Sequence, residues 1–417
     1  MRIVLFCHSL ASCWNQGNAH FLRGVAKALQ ARGHDVVACE PRNGWSRANL
    51  LADHGPQALA AFARAFPTLT PVLYAPDEPD LDALVEGADL VLVHEWNEPG
   101  LVNRLGRMRA NGAPFLLLFH DTHHRAATRP EEMRRFDLSG YDGVLAFGEA
   151  VAAIYRRLGW GKRVWVWHEA ADTDLFRPRE AGGRDGDLVW VGNWGDEERT
   201  EELRTFLLEP VAALGLAAAV YGVRYPKEAR RELARHGLAY RGWLANHLVP
   251  EAFSRHLFTV HVPRRPYAQA LPGIPTIRVF EALACGIPLV SAPWEDSEEL
   301  FPPGCYLTAR DSTEMRRHMR DLFADEDLRA GLAEAGLGAI RSRHTCGHRA
   351  DELLAIVASL RRDTVQFSCH PRAKRSGDPR AQAKGESAVA GSSALPRIKS
   401  GVAEDDNKKI AVNREAV

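Results

Sequence analysis

Short apolar runs alternate with amphipathic segments along the chain, and this alternation is what most limits the folds open to it. Such runs are typical of parallel strands that are buried on both faces and followed by a helix. The predicted strands cover residues 3–7, 35–39, 89–94, 115–120 and 143–147 in the first half, and 188–191, 217–222, 258–262 and 287–290 in the second. The pattern predicts an α/β protein with two doubly wound, Rossmann-like domains.

The length of 417 residues leaves room for two domains of ordinary size. We predict a first domain over residues 1–168, a second over 169–345 and a C-terminal helix over 346–362. From residue 363 to 417 the sequence is rich in Ala, Ser, Gly, Lys and Arg and lacks apolar periodicity, so we expect a disordered tail. A weak contact of this basic tail with nucleic acid or membrane is the alternative.

Bulk composition argues against several classes of partner. Lys+Arg and Asp+Glu both total 53, so the formal net charge is zero and favours no nucleic-acid partner. The sequence has no apolar stretch of the roughly 20 residues that a transmembrane helix needs, although peripheral membrane contact stays open. The seven cysteines include no C-x-x-C pair and are expected to be free thiols. We therefore expect a cytoplasmic protein.

The stretch over residues 272–291 reads as a loop, a short helix, a glycine stop and a buried strand. Pro275 suits a first helical turn, and free amides from Thr276 onward could hold a phosphate. Arg278 would add a guanidinium, a good partner for phosphate oxygens. Glu281 lies on the same face and could accept hydrogen bonds from the two hydroxyls of a ribose. The alternative is an ordinary surface ion pair between Arg278 and Glu281.

The same stretch resembles the nucleotide-binding helix of glycosyltransferases with the GT-B fold. Many retaining members carry Glu-x7-Glu there, followed by Ala, Gly and Pro in the order found at Ala284, Gly286 and Pro288. Glu281 matches the second Glu, whereas Gly273 stands where the first is expected. The resemblance implies two domains facing a cleft, with the donor mainly on the second, the acceptor mainly on the first and the final helix crossing back to the first.

Segments 191–199, 221–226 and 275–281 look most like the spore-maturation, CgeB-like branch of that family, and segment 172–178 is similar to the opening of its second domain. The resemblance implies transfer of a sugar from a nucleotide-diphosphate sugar to a glycan, lipid or protein acceptor, with retention of configuration. It also implies no cofactor and no metal. A nucleotide-sugar epimerase and a non-catalytic binding relative remain alternatives, whereas the missing G-x-G-x-x-G disfavours a dinucleotide-dependent oxidoreductase.

Polar residues at predicted strand ends are the candidates in the first domain, because ligands bind beyond the carboxyl ends of such strands. The catalytic candidates are His120 and Asp121, through an imidazole able to exchange protons near neutral pH. His94 and Glu95 would contact the acceptor or position His120. Purely structural roles and a metal site that includes the neighbouring histidines are the alternatives. Gly17 and Asn18, ahead of the first helix, fit a ligand loop or a plain turn.

In the second domain, the candidates for donor binding lie in loops that would face the cleft. Asn193, Arg199 and Arg224 join Thr276, Arg278 and Glu281 in this group, and an arginine would stabilise the departing diphosphate. Tyr240 and Trp243 would stack on the nucleotide base, or else fill the core. The basic loop over residues 263–267 precedes the site.

Overall fold

The structure is a computed structural model that describes residues 1–180, 182–195 and 197–368, with side chains through residue 362. Two parallel sheets organise these residues. We call the part built on the first sheet, within residues 2–166, the N lobe, and the part built on the second, within residues 186–308, the C lobe. The predicted α/β fold class with two Rossmann-like sheets is confirmed.

The N-lobe sheet has seven parallel strands in the order β3-β2-β1-β4-β5-β6-β7, and helices connect most of them. Its strands are β1 (Arg2–Phe6), β2 (Asp35–Pro41), β3 (Val72–Tyr74), β4 (Leu90–His94), β5 (Leu116–Asp121), β6 (Gly143–Ala146) and β7 (Val164–Val166). Its helices are α1 (Ala19–Ala31), α2 (Trp45–His54), α3 (Pro56–Ala65), α4 (Leu81–Val85), α5 (Pro99–Ala110), α6 (Arg125–Thr128), α7 (Pro130–Met133) and α8 (Glu149–Leu158).

The C-lobe sheet has six parallel strands in the order β10-β9-β8-β11-β12-β13. Its strands are β8 (Gly186–Val191), β9 (Ala218–Tyr221), β10 (Leu238–Gly242), β11 (His256–His261), β12 (Leu289–Ser291) and β13 (Leu307–Thr308). Its helices are α9 (Thr200–Leu203), α10 (Glu209–Leu214), α11 (Lys227–Arg235), α12 (Val249–Ser254), α13 (Arg265–Ala270) and α14 (Ile277–Cys285). A π-helical segment (Arg204–Leu208) precedes α10, and a 3-10 turn (Asn246–Leu248) precedes α12.

Three helices follow the second sheet: α15 (Ser312–Ala324), α16 (Glu326–Arg343) and α17 (Cys346–Ser368). The segment after β7 runs beside the start of α17, where the N–H of Ala171 donates to His344 and the N–H of Cys346 donates to Ala171. Helix α17 packs on α1 so closely that a Cβ on Gly24 would lie 2.4 Å from the Cys346 sulfur. It extends to Ser368 instead of residue 362, and the rest of the predicted tail lies outside the described residues.

The strands missing from the prediction are the four at the sheet edges, namely β3, β7, β10 and β13. Edge strands are paired on one side only, and β3, β7 and β13 have two or three residues, too few to show a hydrophobic period. The five residues of β10 include the polar Arg241 and end in Gly242, so they form no apolar run. Within the described residues, no helix is long and apolar enough to cross a membrane. The six cysteines of that part of the chain are free thiols, as expected.

Candidate active site

A cavity of about 980 Å³ lies between the lobes, and residues of both line it. Its walls come from loops that follow β1, β4 and β5 in the N lobe and β8, β9 and β11 in the C lobe. The carboxyl ends of both parallel sheets therefore face one space, the position at which open α/β sheets bind ligands. Five arginines line it (Arg129, Arg199, Arg224, Arg264 and Arg278), together with three glutamates (Glu98, Glu169 and Glu198).

The N-terminus of α14 forms part of the C-lobe wall, through Thr276, Ile277 and Arg278. The N-cap is Thr276, so Pro275 stands just outside the helix and not within its first turn as predicted. The Thr276 side chain does not cap the helix, and the amides of Ile277 and Arg278 have no carbonyl one turn earlier to bond. These amides and the positive end of the helix dipole are thus directed at the cavity, where they suit an anion.

His261, at the end of β11, explains why Thr276 leaves its helix uncapped. Its Nδ1 lies 2.9 Å from the Ser291 hydroxyl, which itself donates to the carbonyl of Ala292. Ser291 must then accept from Nδ1–H, so Nε2 accepts from the Thr276 hydroxyl at 3.1 Å. Burial, aided by Arg199 and Arg278, lowers the pKa of His261 to about 3 and keeps the ring neutral.

Arg278 lines the cavity, whereas Glu281, one turn further into α14, does not. The Glu281 side chain is fully buried and is bonded to Arg278 and to the Asn246 amide, 2.7 Å away. His20, from α1 of the N lobe, places Nδ1 3.3 Å from the same carboxylate. The buried position of Glu281 differs from the prediction that it faces the cleft to hold a ribose. The two lobes close over its side chain, and its carboxylate oxygens already have partners.

Asn193 and Arg199 act as one unit at the edge of the C lobe. The Arg199 guanidinium donates to the Asn193 side chain at 2.6 Å, to the Asn193 carbonyl at 2.8 Å and to the Val262 carbonyl at 3.1 Å. It also lies over the Trp190 ring, 5.1 Å from its centroid. Asn193 in turn donates to Asn15 of the N lobe. Both predicted residues line the cavity, and Arg199 fixes the loop that presents Asn193.

Arg224 and Trp243 line the cavity, but Tyr240 does not. The exposed Arg224 has a left-handed backbone (φ 59°), and its guanidinium lies 5.8 Å from the Trp45 ring of the N lobe. Trp243 stacks on His54 with 4.5 Å between ring centroids. Tyr240, in β10, instead donates from its hydroxyl to the Gly222 carbonyl at 2.8 Å. The prediction of a base-binding Tyr240 is therefore not matched by its position.

His120 and Asp121 lie inside the N lobe and do not line the cavity, which contradicts their predicted position at the reacting sugar. Both are fully buried, and both ring nitrogens of His120 lack a hydrogen-bond partner among the described residues. The His120 ring packs on Phe21 and Trp167, and burial lowers its pKa to about 3. Asp121 accepts from the Tyr155 hydroxyl at 2.8 Å, on the opposite face of the sheet.

His120 does not reach the cavity because β5 ends one residue later than predicted. The strand continues through Asp121, so His120 shares a face with Leu118 and points toward the helix layer of α1. The first residue after the strand is Thr122, and it lines the cavity with His123 and His124. The polar segment that reaches the cleft thus begins after the predicted histidine.

His94 and Glu95 are buried beneath that segment and do not reach the cavity. The Thr122 hydroxyl donates to Glu95 at 3.1 Å and lies 3.0 Å from Nε2 of His94. Arg125 donates to the other Glu95 oxygen at 2.6 Å. The two predicted acceptor contacts instead support Thr122 and Arg125, so their positions favour the structural alternative.

Gly17 and Asn18 both line the cavity, just before α1. A Cβ on Gly17 would lie 2.9 Å from the Ile277 side chain, so glycine permits close approach of this loop to α14. The Asn18 amide donates to Glu169 at 3.3 Å. Glu169 lines the cavity and is only 7% exposed. Burial, reinforced by the charge of Glu281, raises the pKa of Glu169 to about 8, although Arg278 opposes the shift.

Residues that the sequence analysis missed include Glu169 and His261, whereas His123 and His124, which also line the cavity, were considered only as part of an alternative metal site. A signal existed for His261, because it is a polar residue next to the end of a predicted strand and shortly precedes a Pro/Arg-rich loop. No local signal marks Glu169, since it lies in an irregular segment that only the packing of the lobes brings to the cleft. In the described part of the chain, no group of three or more His, Cys, Asp or Glu residues is arranged to hold a metal ion.

Comparison with known proteins assigns both halves of the chain. Residues 16–175 match the family described as Glycosyltransferase Family 4, and residues 199–355 match the family described as Glycosyl transferase-like. The chain is a glycosyltransferase with the GT-B fold. The CgeB-like branch stays a prediction. A search of curated proteins found no match.

Solved structures share the fold at low sequence identity. Alr3699/HepE of Anabaena, solved with UDP and glucose, is 16% identical, with a TM-score of 0.57 over 86% of this chain and 100% of that one. Sucrose-phosphate synthase of Thermosynechococcus elongatus is 15% identical, with a TM-score of 0.59 over 88% of this chain and 100% of that one.

A third structure bears on the predicted acceptor. An alpha-glucosyltransferase, solved with UDP and a 13-mer DNA, is 13% identical, with a TM-score of 0.61 over 86% of this chain and 99% of that one. Because that protein was solved with DNA, the fold by itself does not exclude a nucleic-acid acceptor. The expectation of no nucleic-acid partner therefore depends on the charge balance of this chain alone.

Proposed function

We propose that this glycosyltransferase binds a nucleoside-diphosphate sugar, of which UDP-sugars are the first to test, and transfers the sugar to an acceptor on the N lobe. The observation that carries the proposal is the uncapped N-terminus of α14, whose amides and Arg278 face a cavity formed by both lobes. Structures of similar fold were solved with UDP, which supports the choice of nucleotide.

In the proposed arrangement, the diphosphate lies against Ile277 and Arg278. Asn193, held by Arg199, contacts the donor from the β8 loop, and Trp243 is the remaining candidate for stacking on the base. Arg278 and the helix dipole offset the charge that develops on the departing diphosphate. Enclosure between the lobes keeps water from the reacting carbon, so that the sugar reaches the acceptor.

We propose that transfer is independent of a metal ion and retains the anomeric configuration. The arginines that line the cavity support the first point, since they place cationic charge where a metal would otherwise act. The proposal of retained configuration rests on the resemblance of the Glu281 helix to that of retaining enzymes. The CgeB-like motifs guide the choice of donors to test. Full activity after exhaustive EDTA treatment supports metal independence, and NMR coupling constants of the product determine its anomeric configuration.

The decisive assay incubates the full chain with a panel of nucleotide sugars, with and without acceptors, and separates the products. Acceptor-dependent release of the nucleoside diphosphate supports transfer. An isomeric nucleotide sugar would identify an epimerase, and binding without turnover would identify a non-catalytic relative. Failure of every nucleotide and nucleotide sugar to raise the melting temperature would contradict the proposal, because a ligand of the folded form must stabilise it.

A further inference from the structure

Two tryptophans of the N lobe stand partly exposed at the wall of the cavity. Trp45, the first residue of α2, is 45% exposed, and Trp96, in the turn after β4, is 42% exposed. Both line the cavity, and His8 lies between them with ring centroids 6.3 Å from Trp45 and 6.2 Å from Trp96. Large aromatic side chains are usually well buried, so two held open at one cavity wall indicate a binding surface.

Each indole is fixed in place by its neighbours. Trp14 packs edge-on against Trp45 at 5.0 Å and is itself anchored by a hydrogen bond from its Nε1 to Asp53 at 2.8 Å. The guanidinium of Arg125 lies 4.3 Å from the centroid of the Trp96 ring. Arg125 is held in turn by buried Glu95. The aromatic surface is therefore preorganised, which reduces the entropy lost when a ligand is bound.

The chemistry around the indoles narrows the class of ligand. Burial lowers the pKa of His8 to about 4, so the ring between the two indoles is neutral. Asn43 and Glu98, both exposed, line the same wall and offer an amide and a carboxylate. A sugar ring presents an apolar C–H face and an edge of hydroxyls, which suits indole faces beside such polar groups. A lipid chain would need a continuous apolar groove, which Asn43 and Glu98 interrupt.

We propose that Trp45 and Trp96 form the acceptor site and that the acceptor is an uncharged sugar residue, the end of a glycan or glycoside, stacked on these indoles. This inference rests on the proposed transferase function and names the substrate class for its second half-site. The donor end of the cavity, at Arg278, is formed by the other lobe, so the two half-sites can be tested separately.

The test uses the full chain and a set of methyl glycosides of common neutral hexoses, with UDP titrated separately. Saturation-transfer NMR and tryptophan fluorescence report glycoside binding without requiring the donor sugar to be known. We expect millimolar binding of at least one glycoside, about tenfold weaker in Trp45→Ala and in Trp96→Ala, because each loses one stacking face. Trp→Phe variants should recover most of it, and UDP binding should match that of the wild type.

The matched control is Phe323→Ala, which removes a similarly exposed aromatic ring (48%) outside the cavity and should change neither ligand's affinity. The proposal is overturned if the wild type binds no methyl glycoside, if both Trp→Ala variants bind as the wild type does, or if Trp-dependent binding is found only for an oligonucleotide, a peptide or an acyl lipid. Failure of the wild type to bind UDP or any other nucleoside diphosphate would instead refute the proposed function, which keeps the two failures apart.

Discussion

Replacing Glu169 with Gln should change how the stability of the protein depends on pH. Glu169 is nearly buried at the cleft wall, with the Asn18 amide as its hydrogen-bond donor and the charge of Glu281 acting on it. These surroundings raise its pKa from 4.5 to about 8, so about a tenth of the molecules carry its charge at pH 7. Gln keeps nearly the same shape and stays neutral at every pH.

The size of the effect follows from proton linkage. Below pH 4.5 the carboxyl is protonated in both the folded and the unfolded chain, so Glu169 adds no pH dependence. Between pH 4.5 and about 8 the unfolded chain loses the proton while the folded chain keeps it, so stability falls as pH rises. At roughly 1.36 kcal/mol per pH unit, the full interval sets an upper limit of about 5 kcal/mol, which water in the cleft will reduce.

The assay compares melting temperatures of the wild type and Glu169→Gln from pH 5 to pH 9. The substitution itself changes the melting temperature by an amount that does not depend on pH. Beyond this offset, we expect the melting temperature of the variant to exceed that of the wild type by a margin that grows with pH and levels off above about pH 8. Other buried titratable groups are common to both proteins and cancel in the difference. Glu98→Gln, which alters an exposed carboxylate of the same cavity, is the control and should show no such trend.

A difference that stays constant from pH 5 to pH 9 would show that Glu169 is already ionised in the folded chain. The inferred neutral acid at the cleft wall would then be wrong. A difference that shrinks as pH rises would show a stabilising carboxylate, for which the attraction of Arg278 outweighs burial.

Three further predictions concern the donor site and the tail. Arg278→Ala should weaken UDP binding by about tenfold or more in calorimetry. It should also lower the melting temperature, because it leaves Glu281 buried without its cation. Arg278→Lys keeps the charge and should lose less UDP affinity, and unchanged affinity in Arg278→Ala would contradict the anion site. Gly273→Glu, which restores the family residue, should destabilise the protein in thermal melts, because φ is +83° and a Cβ would lie 2.7 Å from Ser297 and Glu298; an unchanged melting temperature would refute this. Removing residues 369–417 should leave turnover and melting temperature unchanged, and a folded but inactive truncation would disprove a dispensable tail.

The sequence was sufficient to predict the fold because each central strand contains an apolar run and amphipathic segments alternate with these runs. Helices α15 and α16 begin at positions that a sequence can reveal, since Asp311 and Asp325 cap their first turns through side-chain hydrogen bonds. The N-terminus of α14 was located within two residues for a related reason, as proline and threonine are typical of helix starts.

Long-range packing was not predictable in the same way. Glu281 is at the expected place in its helix, but its environment depends on His20, which is more than 250 residues earlier in the chain. Gly273 appeared to be a lost ligand, whereas its left-handed backbone and the nearby Glu298 show a turn that a larger residue could not occupy without strain. No periodicity reports such contacts, because they arise only when the two lobes meet.

The N-lobe candidates show how one residue of strand length changes a functional assignment. Side chains alternate between faces along a strand, so extending β5 from residue 120 to Asp121 keeps His120 within the sheet and leaves Thr122 as the first residue free of it. The apolar pattern cannot show where β5 ends, because the polar residues His120 and Asp121 are both buried within the strand. His120 packs among aromatic rings on one face of the sheet, and Asp121 accepts a hydrogen bond from Tyr155 on the other. A polar residue at the end of an apolar run therefore locates the edge of the cleft, but only the pairing of β5 with β6 determines which side chain enters it.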